Sequence, residues 1–325
     1  MPLFNAYRYE PLQAEDAIRL ISLDPAADDT TPPSCSIIQR QHSTQNFKYH
    51  AVSYAWGKRE FSRTLEIRCD GDTSYLRITH NVDALLRRLR RRKKRRYLWV
   101  DAICLDQNDE TEKTQQIPVM GRIFEEATMV HIWLGHEDDM TAKIFAVFRK
   151  VSVLPEVKQQ MAETIATLMR TNIRDDGSSG INFVVAFFDR SWFKRRWVIQ
   201  EAALARQATV HCGSSSILLP GLIAAAHRLQ SLDLSWYSVK MVANLGRTEA
   251  KLSTLEVLWH FHEADCLEPK DRVAALFGLV SESDRFALDY TLHWADLYKQ
   301  VALRAFSCGD NDVRLQMLLH LFEFG

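Results

Sequence analysis

Three compact apolar runs separated by amphipathic stretches set the strongest limit on the fold of this chain. They are YHAVSYAW at 49–56, YLWVDAICL at 97–105 and MVHIWLG at 129–135. Their length and their β-branched and aromatic content read as buried strands. Between the first two, VDALLRRLRR has helical periodicity, with Asn81 as its predicted cap. Between the second and third, a helix is predicted from about Glu112 to Ala127, carrying Ile117, Met120, Ile123, Phe124 and Ala127 at helical spacing. Strand, helix, strand, helix, strand is the alternation that builds a parallel sheet with covering helices.

The flanks read differently. FNAYRYEPL and IRLISLDP are two extended pieces, followed by a Pro- and Asp-rich loop, AADDTTPPS. RTLEIRCDG and TSYLRIT flank Asp70-Gly71, a hairpin turn signal. Residues from Met140 to about Arg174 are helical by periodicity, RDDGSSG is a loop, and a helix is predicted from near Ser191 through WFKRRWVIQEAALA. ATVHCG is a short strand, and from Leu218 onward the pattern is mostly helical, interrupted at DCLEPKDR. The expected organisation is an N-terminal β segment and loop at 1–48, an α/β domain at 49–213 with a helical insertion at about 140–180, and a helical region at 214–325. The apolar ending LQMLLHLFEFG reads as a cut within a longer chain.

Composition narrows the function classes. Lys+Arg and Asp+Glu are both 41, so no global charge points to nucleic acid. Six scattered cysteines without a CxxC pair read as reduced thiols rather than as a disulfide framework or zinc cluster. No signal peptide and no apolar stretch long enough to span a bilayer are present, so a cytoplasmic protein is expected. GxGxxG and GxxxxGK phosphate loops are both missing. Cys104, His131, His211 and Cys212 lack ligand spacing, so no metal is expected. The run RRLRRRKKRR at 87–96 has nine basic residues in ten. It is either a polyanion-binding segment or a solvated helix end, and the second is favoured because no aromatic residues interleave it.

In open α/β sheets, ligands bind outside the carboxyl ends of the strands. Those ends bring forward Tyr54, Trp56, Gly57, Asp101, Asp106 and Gln107. Trp56 could stack on a base or nicotinamide ring, Gly57 allows close backbone approach to a phosphate, and Asp101 or Asp106 could bind ribose hydroxyls. Equally, Trp56 could be core, and residues 106–109 could simply cap the next helix. Glu201 lies in a helix that is otherwise apolar or basic. It is either a carboxylate used in chemistry or an ion-pair partner of Arg195 or Arg196.

Four ordered segments together resemble the fungal heterokaryon incompatibility (HET) domain family. They are YHAVSYAWG at 49–57, LWVDAICLDQNDETEK running on to HIWLG at 98–135, RSWFKRRWVIQEAALA with VHCG at 190–213, and DCLEPKDRVAALFGLV at 265–280. The resemblance implies a self/non-self recognition effector that triggers programmed cell death in vegetative incompatibility, with a recognition partner supplied by other regions. The order of elements also resembles, more distantly, a TIR domain, which implies a flavodoxin-like parallel sheet. In that resemblance SWFKRRWVIQEA places a Trp, Trp197, ahead of a catalytic Glu, Glu201, and the reaction implied is cleavage of the nicotinamide–ribose bond of NAD as substrate. It also implies a homo-oligomer on activation. A non-enzymatic signalling module assembling with its own kind is the alternative.

Overall fold

The structure is a computed structural model, and it describes residues 5–308 except 15, 29, 42–46, 70, 156–157, 174–179, 233–235, 247–251 and 287. The expected turn residue Asp70, most of the RDDGSSG loop and the apolar ending lie outside the described residues. The strands are β1 (Ala17–Leu23), β2 (Ser34–Gln41), β3 (His50–Tyr54), β4 (Arg63–Cys69), β5 (Asp72–Ile78), β6 (Arg96–Trp99), β7 (Met129–Trp133), β8 (Ala208–Cys212) and β9 (Ser215–Leu218). They form one mixed sheet in the order β5-β4-β2-β1-β6-β3-β7-β8-β9.

The expectation of a parallel sheet holds in the centre, where β6, β3, β7 and β8 run parallel, and in one further pair, β2 with β4; the other neighbours are antiparallel. Of the two N-terminal extended pieces, IRLISLDP becomes β1, which joins the same sheet antiparallel to both β6 and β2, whereas the described residues of FNAYRYEPL carry only an isolated bridge from Ala6 to Tyr75. β4 and β5 close an antiparallel hairpin through Gly71 at φ +95. β8 and β9 form another, through Gly213 at φ +52. Short loops reverse the chain, whereas parallel neighbours need a crossover of a dozen residues or more. The hairpins therefore sit outside the parallel centre.

The helices are α1 (His80–Leu89), α2 (Asp101–Cys104), α3 (Glu110–Gln116), α4 (Met120–Glu126), α5 (Thr141–Val151), α6 (Lys158–Asn172), α7 (Gly180–Phe188), α8 (Trp197–Ala203), α9 (Leu219–Leu229), α10 (Tyr237–Leu245), α11 (Thr254–His260), α12 (Asp271–Ala274) and α13 (Trp294–Cys308). Thr79, not Asn81, caps α1, its side chain accepting from Val82 N. Asn81 instead joins two strand ends: it donates to the Ala55 carbonyl at 2.8 Å and accepts from Trp133 Nε1 at 2.8 Å. The single helix expected from Glu112 to Ala127 is two, separated by a 3-10 turn at Ile117–Val119 that contains Pro118. A proline has no N–H to donate, so the α ladder breaks there. The run 97–105 is also shorter as a strand than expected, because the chain turns into α2 at Asp101.

One continuous apolar core runs from Ile18 in β1 to Val301 in α13. The segment DCLEPKDRVAALFGLV is sewn into it. A Cβ on Gly121 would stand 3.3 Å from Gly278 Cα, so two glycines let α4 and the 277–279 turn touch backbone to backbone. Arg196, buried, donates to the carbonyls of Arg272, His262 and Ala264 at 2.9, 3.3 and 3.2 Å. No helix among the described residues is long and apolar enough to cross a membrane.

Candidate functional site at the strand ends

β3 ends at Tyr54 and β6 at Trp99, and the chain leaving each strand builds one side of a cluster. Trp56 Nε1 donates to Asp101 Oδ2 at 2.7 Å. Asp101 Oδ1 accepts the N–H of Ala102 at 2.7 Å, and Gln107 Nε2 donates to the Asp101 carbonyl at 3.0 Å. The Arg59 guanidinium lies 4.8 Å from the centre of the Trp56 ring, a cation–π distance. Trp56 is therefore a half-buried indole held by both its edge and its face, whereas Trp99 is core. Gly57, at φ +66, turns the chain where L side chains are strained, and a Cβ there would meet open space.

The other side comes from α8 and the 3-10 turn before it. Trp192 Nε1 donates to Ser53 Oγ at 2.8 Å, and the Ser53 hydroxyl donates in turn to Glu201. Glu201 is 5% exposed. Burial pushes its carboxyl from 4.5 up to about 7, against the Arg195 cation and the Ser53 hydrogen bond, which lower it, and with the Asp101 charge, which raises it. Desolvation is the largest of these, since a buried carboxylate loses its water shell. Arg195 also donates to the Tyr54 carbonyl. The buried Tyr54 phenol sits among the charges of Asp101, Arg195 and Glu201, and burial holds its pKa well above the usual tyrosine range.

Tyr54, Trp56, Asp101 and Glu201 thus come together, with Gly57 at the rim. Asp106, Gln107 and Trp197 are placed otherwise. Asp106 accepts the N–H of Asn108 at 3.0 Å, and Asp109 caps α3 by accepting from Thr111 and Glu112. The loop is held by Glu112, which accepts the Asp106 N–H at 2.9 Å and pairs with the buried Arg19 of β1 at 2.5 Å. Gln107 reaches the site only through the Asp101 backbone. Trp197 points to the C-terminal segment: its indole donates to Asp271 Oδ2 at 2.8 Å, while Tyr290 donates to Oδ1 at 2.7 Å. Of the two arginines that precede Glu201 in the sequence, Arg195 acts on it through its charge, while Arg196 is engaged by the carbonyls of Arg272, His262 and Ala264.

Ser53 and Trp192 were not foreseen. A signal exists, since Ser53 is a hydroxyl within a strand whose other residues are apolar or aromatic, and a buried hydroxyl needs a partner. Its partners lie 139 and more residues away in the chain, beyond any local pattern. A cavity of about 960 Å³ lies elsewhere, at the far end of α8 and along α9, lined in part by Ala202, Arg206, Leu219 and His227. Among the described residues no group of three or more His, Cys, Asp or Glu side chains is placed to hold a metal ion.

Residues 49–201 match the family described as heterokaryon incompatibility protein (HET). The chain is 28% identical over 245 residues to Heterokaryon incompatibility protein 6, OR allele, of Neurospora crassa, a match covering 64% of this chain and 35% of that protein. It spans about a third of that relative's length. No solved structure matches the chain.

Proposed function

Because residues 49–201 form a domain of the heterokaryon incompatibility (HET) family, we propose that the chain is an effector of fungal self/non-self recognition whose domain triggers cell death. The proposed chemistry is cleavage of the nicotinamide–ribose bond of NAD by the cluster around Glu201. The observation that carries it is a carboxyl at the strand ends, buried beside Arg195, Ser53 and Asp101 and raised to about 7. Such a group exchanges protons near neutral pH, and its ionised form stabilises an oxocarbenium-like transition state. In the reaction the C–N bond breaks, nicotinamide leaves with the bonding pair, and water supplies the hydroxyl of the ribose product. Trp56 would pack on a ring of the substrate and Asp101 would meet ribose hydroxyls. The parallel centre supports a TIR-like reading: numbered by its own strands, β6-β3-β7-β8 is the order 2-1-3-4, which matches the start of the flavodoxin-like order. The switch point of that order lies between β3 and β7, next to the β3 end that carries Tyr54.

One observation favours a second reading. Glu201 is 5% exposed, so a substrate reaches it only after the strand-end loops move. A non-enzymatic module that signals by assembling with its own kind needs no such opening. If the enzymatic reading holds, assembly supplies the opening.

NAD loss is measured with purified protein, dilute and under crowding, for wild type, Glu201→Ala and Glu201→Gln. The expected result is turnover by the crowded wild type that both variants lack. If all three are equally inactive while expression of each still kills cells, the enzymatic reading falls and the signalling module stands.

A further inference from the structure

Three histidines form a diagonal row across the sheet, on the face opposite Ser53 and rising from the start of β3 at His50 to His211, which is level with Tyr54. His50 Nδ1 lies 2.9 Å from His131 Nε2, and His131 Nδ1 lies 3.0 Å from His211 Nε2. They stand on the adjacent parallel strands β3, β7 and β8. His50 opens β3, four residues from Tyr54, which is about 13 Å along the strand. The basic run folds over this row. Arg96 Nη1 approaches His131 Nε2 at 3.5 Å, and Arg88 and Arg91 act on the outer rings.

The remainder of the run is divided by the fold. Arg87 and Arg90 donate to loop carbonyls between Asp28 and Pro32, and Arg95 pairs with Asp24 at 3.0 Å. Arg92, Lys93 and Lys94 are exposed. Arg96 differs from all of these: it is half-buried, and among the described residues its guanidinium meets the His131 ring rather than a carboxylate or a backbone carbonyl.

We propose that Arg88, Arg91 and Arg96, with the row His50, His131 and His211 beneath them, bind a phosphate-class oxyanion carried by a small molecule. Two features carry this. The first is charge: every charged or titratable group acting on the three rings is an arginine or another histidine. A desolvated guanidinium with no counter-charge is costly, and an anion offsets that cost. The second is hydrogen bonding. Arg96 Nε and His211 Nδ1 are buried without a protein partner. With Arg96 donating to His131 Nε2, the neutral row carries its protons on the Nδ1 atoms, which leaves His211 Nδ1–H as a second donor lacking an acceptor. The cluster has an excess of donors, and a phosphoryl group is an acceptor with three or more oxygens. A long polyanion would instead track the exposed side chains at 92–94, which the fold leaves in solvent.

The 325-residue chain labelled at the histidine ring nitrogens is titrated with pyrophosphate, and separately with a nucleoside diphosphate, at constant ionic strength. Saturable shifts of the His50, His131 and His211 resonances are expected, together with a raised thermal midpoint. A nucleoside diphosphate binding better than pyrophosphate identifies a nucleotide as the source of the phosphate, and equal binding identifies the phosphate group alone. Arg96→Gln should weaken binding at least tenfold, and Arg96→Lys, which keeps the charge, should weaken it less. The triple variant Arg92→Gln, Lys93→Gln, Lys94→Gln and the variant Glu201→Gln should bind within twofold of wild type. Ring resonances that stay fixed at saturating ligand overturn the proposal. So does loss of binding in the triple variant with retention in Arg96→Gln, which assigns the anion to the exposed run.

Discussion

Replacing Glu201 by Gln tests whether the fold holds a protonated carboxylic acid at this position. The amide keeps the size and the acceptor oxygen of the protonated acid but cannot ionise. The carboxyl rises from 4.5 to about 7 on folding, chiefly through burial. Below pH 4.5 the group is protonated both folded and unfolded, and titration contributes nothing to stability. Between 4.5 and 7 the unfolded chain ionises while the folded one keeps its proton. Stability contributed by this group therefore falls as pH rises, by about 1.4 kcal/mol per pH unit. Above pH 7 both states are ionised and the loss levels off at about 3 kcal/mol, from the interval between 4.5 and about 7. Any constant effect of the amide cancels when the difference between variant and wild type is followed with pH. Urea unfolding of both proteins at pH 4.5, 5.5, 6.5 and 8 should show the variant gaining about 3 kcal/mol on wild type across the range. A difference that stays flat across that range refutes the reasoning. It would mean that Arg195 and Ser53 hold Glu201 ionised in the fold despite its burial.

Other outcomes follow from the same geometry. Arg195→Gln removes the cation that favours the carboxylate, so the Glu201 midpoint seen by carboxyl ¹³C titration should move further up, and Ser53→Ala should move it in the same direction. Glu112→Ala strands the buried Arg19 and frees the Asp106 N–H, and should cost about 3–5 kcal/mol in chemical denaturation; a loss near zero would show the pair to be dispensable. Gly213→Ala should destabilise more than Gly57→Ala in thermal unfolding. Both are left-handed, but a Cβ at 213 would stand 2.5 Å from Glu137 Cγ, whereas at 57 it meets open space.

The parallel centre was legible because its strands are buried on both faces, and such strands write themselves into the sequence as short unbroken apolar runs. β3 and β7 fall within two of those runs, and β8 within the short strand read at ATVHCG. The hairpins were less legible. β9, SSIL, is four residues on an edge, with no pattern of its own, and was folded into the expected helical region. The strand at 96–99 was overextended because α2 is as apolar as the strand before it, and periodicity cannot separate a four-residue turn of helix from more strand.

The sequence by itself determined the match of residues 49–201 to the HET family, the central strands and the position of one unusual glutamate. Each rests on local order: motif spacing, apolar runs, a lone acid in an apolar helix. Tertiary structure decided what that acid faces. Whether Glu201 meets Arg195 or Arg196 depends on the rotation of the chain between a 3-10 turn and α8, which the packing of Trp192 on Ser53 fixes. It likewise decided that Asp109 caps while Asp106 turns, that Trp197 serves the C-terminal segment, and that Arg96, with Arg88 and Arg91, lies over a row of histidines. Contacts of this kind join residues many tens of positions apart. Their energies come from burial and charge, which exist only once the sheet has brought those residues together.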